Sequence, residues 1–288
     1  MHGHACFCGL FLLALAGCTD TVDTRSTVSP EPIALGEAFD SSKCGSIRGR
    51  VVWEGDVPKS DEFLIRALAF NPNVHKDPIR VRTPHIPQVH DKNYGVQNAV
   101  IFLRGIDPAH SKAWDHPKVR VEFHDRQIVI EQGNHRSGVG FVRRATSIEI
   151  VNRDVEYHNL HGRGAAFFAM PLIETERTHE RTLARAGIVD LNCGAGYYWM
   201  HAHLFVTEHP YFTRSDADGG FAFDQVPPGN YEVVCWLPNW HVVRKEIDPE
   251  TAIISRWAWA APKEQTRRVE VTRIVDVTFT WSAAMFRE

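Results

Sequence analysis

The stretch LNCGAGYYWMHAHLFVTEHPYFTRSDADGGFAFDQVPPGNYEVVCW, residues 191–236, decides the fold. Short apolar or alternating runs follow one another in it. They are separated by Ser215-Asp216-Ala217-Asp218-Gly219-Gly220 and by Pro227-Pro228-Gly229-Asn230, both of which have turn chemistry. The expectation is strands over 200–207, 221–224 and 231–237. In an extended 200–206, Met200, Ala202, Leu204 and Val206 share one face, and His201, His203 and Phe205 share the other.

Outward from this stretch the same punctuation continues. Ile47, Gly49, Val51 and Trp53 alternate with Arg48 and Arg50 before Glu54-Gly55-Asp56 turns the chain. Ala99 to Leu103 is an unbroken apolar run, the pattern of a strand buried on both faces. Further strands are expected over 119–123, 127–131, 146–151, 188–192, 267–271 and 274–281, and helices over 174–186 and around 59–70. Strands this short and this regularly spaced give an all-β chain built as β-sandwiches.

Leu10 to Ala16 is too short an apolar run to span a bilayer, and it ends in Leu15-Ala16-Gly17-Cys18. This resembles a bacterial lipoprotein signal, although its first residues offer histidine in place of Lys or Arg. The resemblance implies a signal peptide over 1–17, acylation of Cys18 and attachment to the cell envelope, with Thr19 resembling the outer-membrane choice. Residues 18–42 read as a flexible tether rich in Thr, Ser, Asp and Pro. With 32 basic and 35 acidic residues and no basic stripe interleaved with aromatics, nucleic acid is not an expected partner. Beyond the tether no run is long enough for a transmembrane helix, so membrane attachment rests on the lipid.

NRDVEYHNLHG at 152–162 offers His158 and His161, and the deciding stretch offers Cys193 and Met200. Imidazole, thiolate and thioether carried on β-strands are the ingredients of a mononuclear copper site. Each residue also has a plainer role open to it. His158 suits a turn, Met200 suits a core, and Cys193 suits a small buried hydrophobe or a bridge to Cys44 or Cys235. Cys44 with Cys235 is the pairing expected within one sandwich.

NRDVEYHNLHG, with Asn152, Asp154, His158, Asn159 and His161, resembles a segment of cupredoxin-like (plastocyanin-like) envelope proteins. So does Cys193 with Met200 followed by Val206-Thr207-Glu208-His209-Pro210-Tyr211-Phe212. In that family a histidine stands between the Cys and the Met; here the positions hold Gly196, Tyr197 and Tyr198, with one extra residue in the loop. TRSDADGGFAFDQVPPGNYEVVCW, GSIRGRVVWEG (45–55) and NAVIFLRG (98–105) resemble the carboxypeptidase-regulatory-like module, a transthyretin-like or Cna-B-like sandwich. The resemblance implies a first part of that sandwich over 43–116, a cupredoxin-like domain over 117–206 inserted in or packed on it, and the remainder over 207–288. It also implies a copper site at His158, Cys193 and Met200, degenerate for want of the loop histidine, which His161 alone is placed to replace. Tyr197, Tyr198 or Trp199 is expected to fill the gap.

Asp216-Ala217-Asp218-Gly219 lacks the later ligands of a calcium loop and reads as a hairpin turn. No nucleophile elbow, zinc-protease helix or phosphate loop is present in the sequence, so no catalytic centre is nominated. Three functions follow: a non-catalytic envelope lipoprotein with a degenerate copper site, binding envelope proteins or surface polymers; a copper-binding electron-transfer protein; or a carbohydrate-binding surface protein using Trp240, Trp257 and Trp259. The first is the expectation, with copper as the one cofactor to test. Cys18→Ser is expected to convert a detergent-phase protein into an unprocessed or aqueous-phase one, read by detergent partitioning of cell envelopes. Unchanged partitioning would remove the anchor.

Overall fold

A computed structural model describes residues 39–286, apart from 60–61, 66–78, 248 and 251–253. The signal, Cys18 and most of the tether lie outside the described residues. In chain order the strands begin with β1 (Gly45–Trp53), β2 (Glu62–Ile65), β3 (Ile79–Arg82), β4 (Gln88–Val89), β5 (Val96–Gln97) and β6 (Val100–Arg104). They continue with β7 (Val119–His124), β8 (Gln127–Gln132), β9 (His135–Ser137), β10 (Val139–Arg143), β11 (Thr146–Asn152), β12 (His158–Gly164), β13 (Phe168–Leu172), β14 (Thr178–Leu183), β15 (Gly187–Cys193) and β16 (His201–Thr207). The last are β17 (Phe212–Arg214), β18 (Gly220–Val226), β19 (Gly229–Leu237), β20 (Val242–Ile247), β21 (Ile254–Trp259), β22 (Lys263–Val271) and β23 (Ile274–Trp281). Helical structure among the described residues is limited to three short 3₁₀ turns.

Four sheets carry the architecture. Two lie outside the 119–207 segment in sequence, ordered β18-β1-β23 and β17-β6-β19-β22; two lie within it, ordered β10-β16-β15-β12-β13 and β14-β11-β7-β8-β9. The alternation of side chains stacks them. Ile101 and Leu103 of β6, with Val233, Cys235 and Leu237 of β19, join Ile47, Val51, Phe221 and Phe279 in the outer core. Their neighbours Val100, Phe102, Val234 and Trp236 turn the other way and pack on Val139, Phe141 and Phe205 of the inner sandwich. On the far side, Ala202, Leu204 and Val206 of β16 enter the inner core with Val121, Ile150 and Leu191. The unbroken apolar run at 99–103 follows from this, since β6 sits in a sheet covered on both faces.

Close approach explains the glycine in the first alternating strand. A Cβ at Gly49 would stand 2.0 Å from the Val277 carbonyl oxygen, so the parallel pair of β1 and β23 tolerates no side chain there.

Three expectations are corrected. The segment 174–186 holds strand β14, not a helix. Its helix-forming Glu, Arg and Leu residues are overridden because β11 has an open edge, which β14 fills while pointing its charges to solvent. Residues 62–65 are likewise strand, paired with β3. Cys44, Cys193 and Cys235 are all free thiols. Cys235 is buried in the outer core, where its sulfur accepts the Trp281 Nε1–H at 3.3 Å, while the Cys44 thiol donates to the Asp40 carbonyl at 3.3 Å near the surface. The expected turn at 216–220 is present: the Asp216 carboxylate accepts the amides of Asp218 (2.9 Å) and Gly220 (2.7 Å), which accounts for its acidic residues without an ion.

Because one sheet is shared by two apolar layers, the described body should unfold in a single transition. Trp236→Ala, which empties the layer between the sandwiches, should cost about 3–5 kcal/mol in urea denaturation and keep one transition. Two resolved transitions in the parent protein would contradict the shared-sheet reading.

Candidate functional site

The first cluster is built around the β7–β8 turn. Asp125 and Arg126 both have positive φ (51° and 57°), the geometry of a tight two-residue hairpin, and their amides point outward together. The Asp154 carboxylate accepts both, at 2.8 and 3.0 Å. Asn152 shapes the loop that delivers Asp154: its Oδ1 accepts the Asp154 amide at 3.0 Å and its Nδ2 donates to the Glu156 carbonyl at 2.8 Å. Trp199 Nε1 then donates to the Arg126 carbonyl at 2.9 Å, tying the loop after Cys193 to the same turn.

His158 opens β12 inside this frame and is fully buried. Its Nε2 lies 2.9 Å from Asp154 Oδ2, and its Nδ1 lies 3.5 Å from Cys193 Sγ. With Asp154 accepting at Nε2, Nδ1 is the nitrogen turned to sulfur. Phe123 stacks on the imidazole at a centroid distance of 4.7 Å, and the Tyr197 ring packs on it at a tilt, also at 4.7 Å. Burial works against charge on His158, but the Asp154 hydrogen bond and the adjacent Cys193 outweigh it and raise its pKa to about 8. Burial pushes the Tyr197 phenol up from its ordinary value, reinforced by Glu156 and Cys193, so it stays protonated and is a poor anionic donor. Met200 is buried in the same core.

His161 does not join this group. On β12 the side chains of His158, Leu160 and Gly162 take one face, so period two puts His161 on the other. There its ring lies over Gly194, where a Cβ would stand 2.2 Å from His161 Cε1. The expected substitute donor is thereby corrected.

A copper ion of the blue type requires two imidazoles and a thiolate around it. His158 and Cys193 fit, but among the described residues no second imidazole joins them, and the ring packed on His158 from the following loop is that of Tyr197, so these residues do not make that set. An aligned carboxylate, imidazole and thiol is also the arrangement of an activated nucleophile. Here Cys193 is 1% exposed and His158 0%, which denies a substrate entry.

A second cluster lies on the opposite face of the same sheet. His201 and His203 alternate on β16, across from Asn192 and Asp190 of β15, and His85 meets them from the turn after β3. One ring nitrogen from each of the three lies within 4.8 Å of the others. A cavity of about 270 Å³ opens beside them, with Asp190, Arg163, Arg256, Trp257 and Trp259 in its wall. Of the three tryptophans expected to present a sugar platform, Trp257 is 3% exposed, while Trp240, packed on Trp53 and Phe286, and Trp259 are partly buried. Desolvation, together with the neighbouring Arg256, lowers the His201 pKa to about 3. Burial and the adjacent rings hold His85 and His203 neutral as well. The H-x-H spacing was a visible signal for a shared face. Nothing in the sequence pointed to His85, which arrives from a loop more than a hundred residues upstream.

No protein-family model and no curated protein sequence matches the chain. Solved structures it is similar to include a reduced mutant of amicyanin, at 17% identity, 37% of this chain, 98% of that chain and a TM-score of 0.27. A purple cupredoxin from Nitrosopumilus maritimus is similar at 14% identity over 32% of this chain and 99% of that one, TM-score 0.25. A copper-containing nitrite reductase from Thermus scotoductus is similar at 20% identity over 34% of this chain and 24% of that one, TM-score 0.25.

The His158 geometry has a pH signature. Its pKa is raised from 6.5 to about 8 in the fold, so its stabilising contribution is complete below pH 6.5 and is lost as the pH rises through 8. The loss should be on the order of 2 kcal/mol across that window, seen as a falling melting temperature. His158→Gln should flatten this limb; a limb unchanged in that variant would refute the raised pKa.

Proposed function

We propose that the chain is a non-catalytic, lipid-anchored protein of the cell envelope, in which a cupredoxin-like sandwich is carried within a carboxypeptidase-regulatory-like one. Its role is binding, and its cupredoxin-type centre has lost the blue-copper donor set. The observation that carries this reading is the placement of Tyr197. The His158–Cys193 pair stands 3.5 Å apart, and the ring that packs on His158 from the loop after Cys193, the loop in which the resembled family carries its second imidazole, is the Tyr197 phenol at 4.7 Å.

The electron-transfer alternative is weakened by the same geometry. Such a centre needs a constrained thiolate with two nitrogen donors, and His161, the remaining candidate, faces away. What supports a binding role is the absence of an accessible nucleophile or acid–base pair in the first cluster, together with the charged, solvent-facing edge strand β14.

Restoring the missing donor tests the reading. With Cu(II) added, the parent protein should develop no intense visible thiolate-to-copper absorption, whereas folded Tyr197→His should develop one. An intensely blue parent protein would replace the degenerate reading with electron transfer. A folded Tyr197→His that stays colourless would show that the frame is not cupredoxin-like at this site.

A further inference from the structure

We propose that His85, His201 and His203 form a transition-metal site, separate from the His158–Cys193 pair and on the opposite face of the β16 sheet, that takes a single Cu(II) ion. The inference goes beyond the proposed function and does not depend on it.

The geometry begins with strand periodicity. His201 and His203 are two apart on β16, so both project from the face that Ala202 and Leu204 leave. Their ring centroids are 4.8 Å apart, and the His85 ring lies 4.7 Å from one and 5.2 Å from the other. Three imidazoles gathered this closely have an alternative explanation as aromatic packing around Trp259 and Trp236. Packing alone, however, leaves polar atoms to be satisfied. His85 Nε2 and His201 Nδ1 are both buried and have no hydrogen-bond partner. His85 is 6% exposed, so the unmet nitrogen sits inside the protein, where an unpaired polar group costs about 1–3 kcal/mol. A bound ion would satisfy such nitrogens directly.

The surroundings fit a bound ion. Asp190 Oδ1 lies 3.3 Å from His203 Nε2, the kind of carboxylate–imidazole contact that fixes a ligand ring. Arg163 and Arg256 are also in the cavity wall, and Glu246 pairs with Arg256 at 3.2 Å. Metal–nitrogen distances of about 2.0–2.1 Å place adjacent ligand nitrogens roughly 2.9 Å apart in the tetragonal geometry that Cu(II) prefers. The present 4.8 Å limit must therefore contract, and His85 is the residue able to move, since it sits in the turn between β3 and β4 while the other two are fixed in the sheet. Imidazole donors suit copper and zinc, and the general affinity order of divalent ions places Cu(II) above Zn(II). Three protein ligands leave a further coordination position open toward the cavity.

The test is Cu(II) titration of the full chain by calorimetry, with electron paramagnetic resonance of the bound ion. One Cu(II) per chain is expected, with hyperfine structure from several nitrogens and no intense thiolate absorption. His85→Gln and His203→Gln should each weaken binding tenfold or more. His158→Gln and Cys193→Ser should change it less than twofold. His85→Gln lies outside the sheets and, with an unchanged melting temperature, separates loss of a ligand from loss of fold. Binding lost in Cys193→Ser and kept in His85→Gln would overturn the proposal, as would no stoichiometric copper at all. Zn(II) displacing bound Cu(II) would overturn the assignment of the metal.

Discussion

Burial of β6 and of the second half of β19 on both faces of one four-stranded sheet is the constraint on which the rest of the molecule depends. The β17-β6-β19-β22 sheet serves two apolar layers at once, with alternate residues of β6 and β19 committed to each. The inner sandwich therefore has a fixed seat. Phe205 of β16 packs against Trp236 at 5.1 Å, and the same strand sends Leu204 and Val206 into the inner core. Burial of this kind is cooperative, because a change in one layer displaces backbone that a second layer also uses.

That seating positions both clusters. Cys193 ends β15 with its side chain in the inner core, and the following loop returns through Tyr197 and Trp199 to the β7–β8 turn. Asp154 holds that turn by two amides and His158 by its imidazole, so a single carboxylate joins the hairpin to the candidate site. Meanwhile the outward face of β16 is covered at its Phe205 end by the outer sandwich and at its His201 end by the β20–β21 hairpin, through Trp257 and Trp259. Histidines that would face solvent on an isolated sandwich are enclosed here. Enclosure is also what holds their rings neutral, the form in which imidazole binds metal.

Much of this was legible in the sequence. Turn residues and period-two alternation located most long strands, and the unbroken run at 99–103 announced a strand covered twice. The division of β16 into an Ala202–Leu204 face and a His201–His203 face was also readable. Short edge strands were not. β14 is written in helix-forming residues because an edge strand needs solvent-compatible charge more than β propensity. The position of His161 is unreadable locally, because whether 158–162 turns or continues as strand is settled only by its pairing with β15, and an extended chain cannot bring residues three apart to one face. The contribution of His85 depends on a long-range meeting of a loop with a sheet, which no local pattern encodes. The burial of Trp257 was unreadable for a related reason: composition marks Trp257 and Trp259, but only the hairpin's docking decides how far each is covered.

The central claim is that copper bound by this chain is held by His85, His201 and His203 and not by the His158–Cys193 pair. X-ray absorption at the copper edge on the stoichiometrically loaded full chain tests it most directly, because the first coordination shell reports sulfur and nitrogen separately. The account predicts a shell of nitrogen and oxygen scatterers with imidazole outer-shell features and no short copper–sulfur distance. A sulfur scatterer at bonding distance, lost on Cys193→Ser, would contradict it.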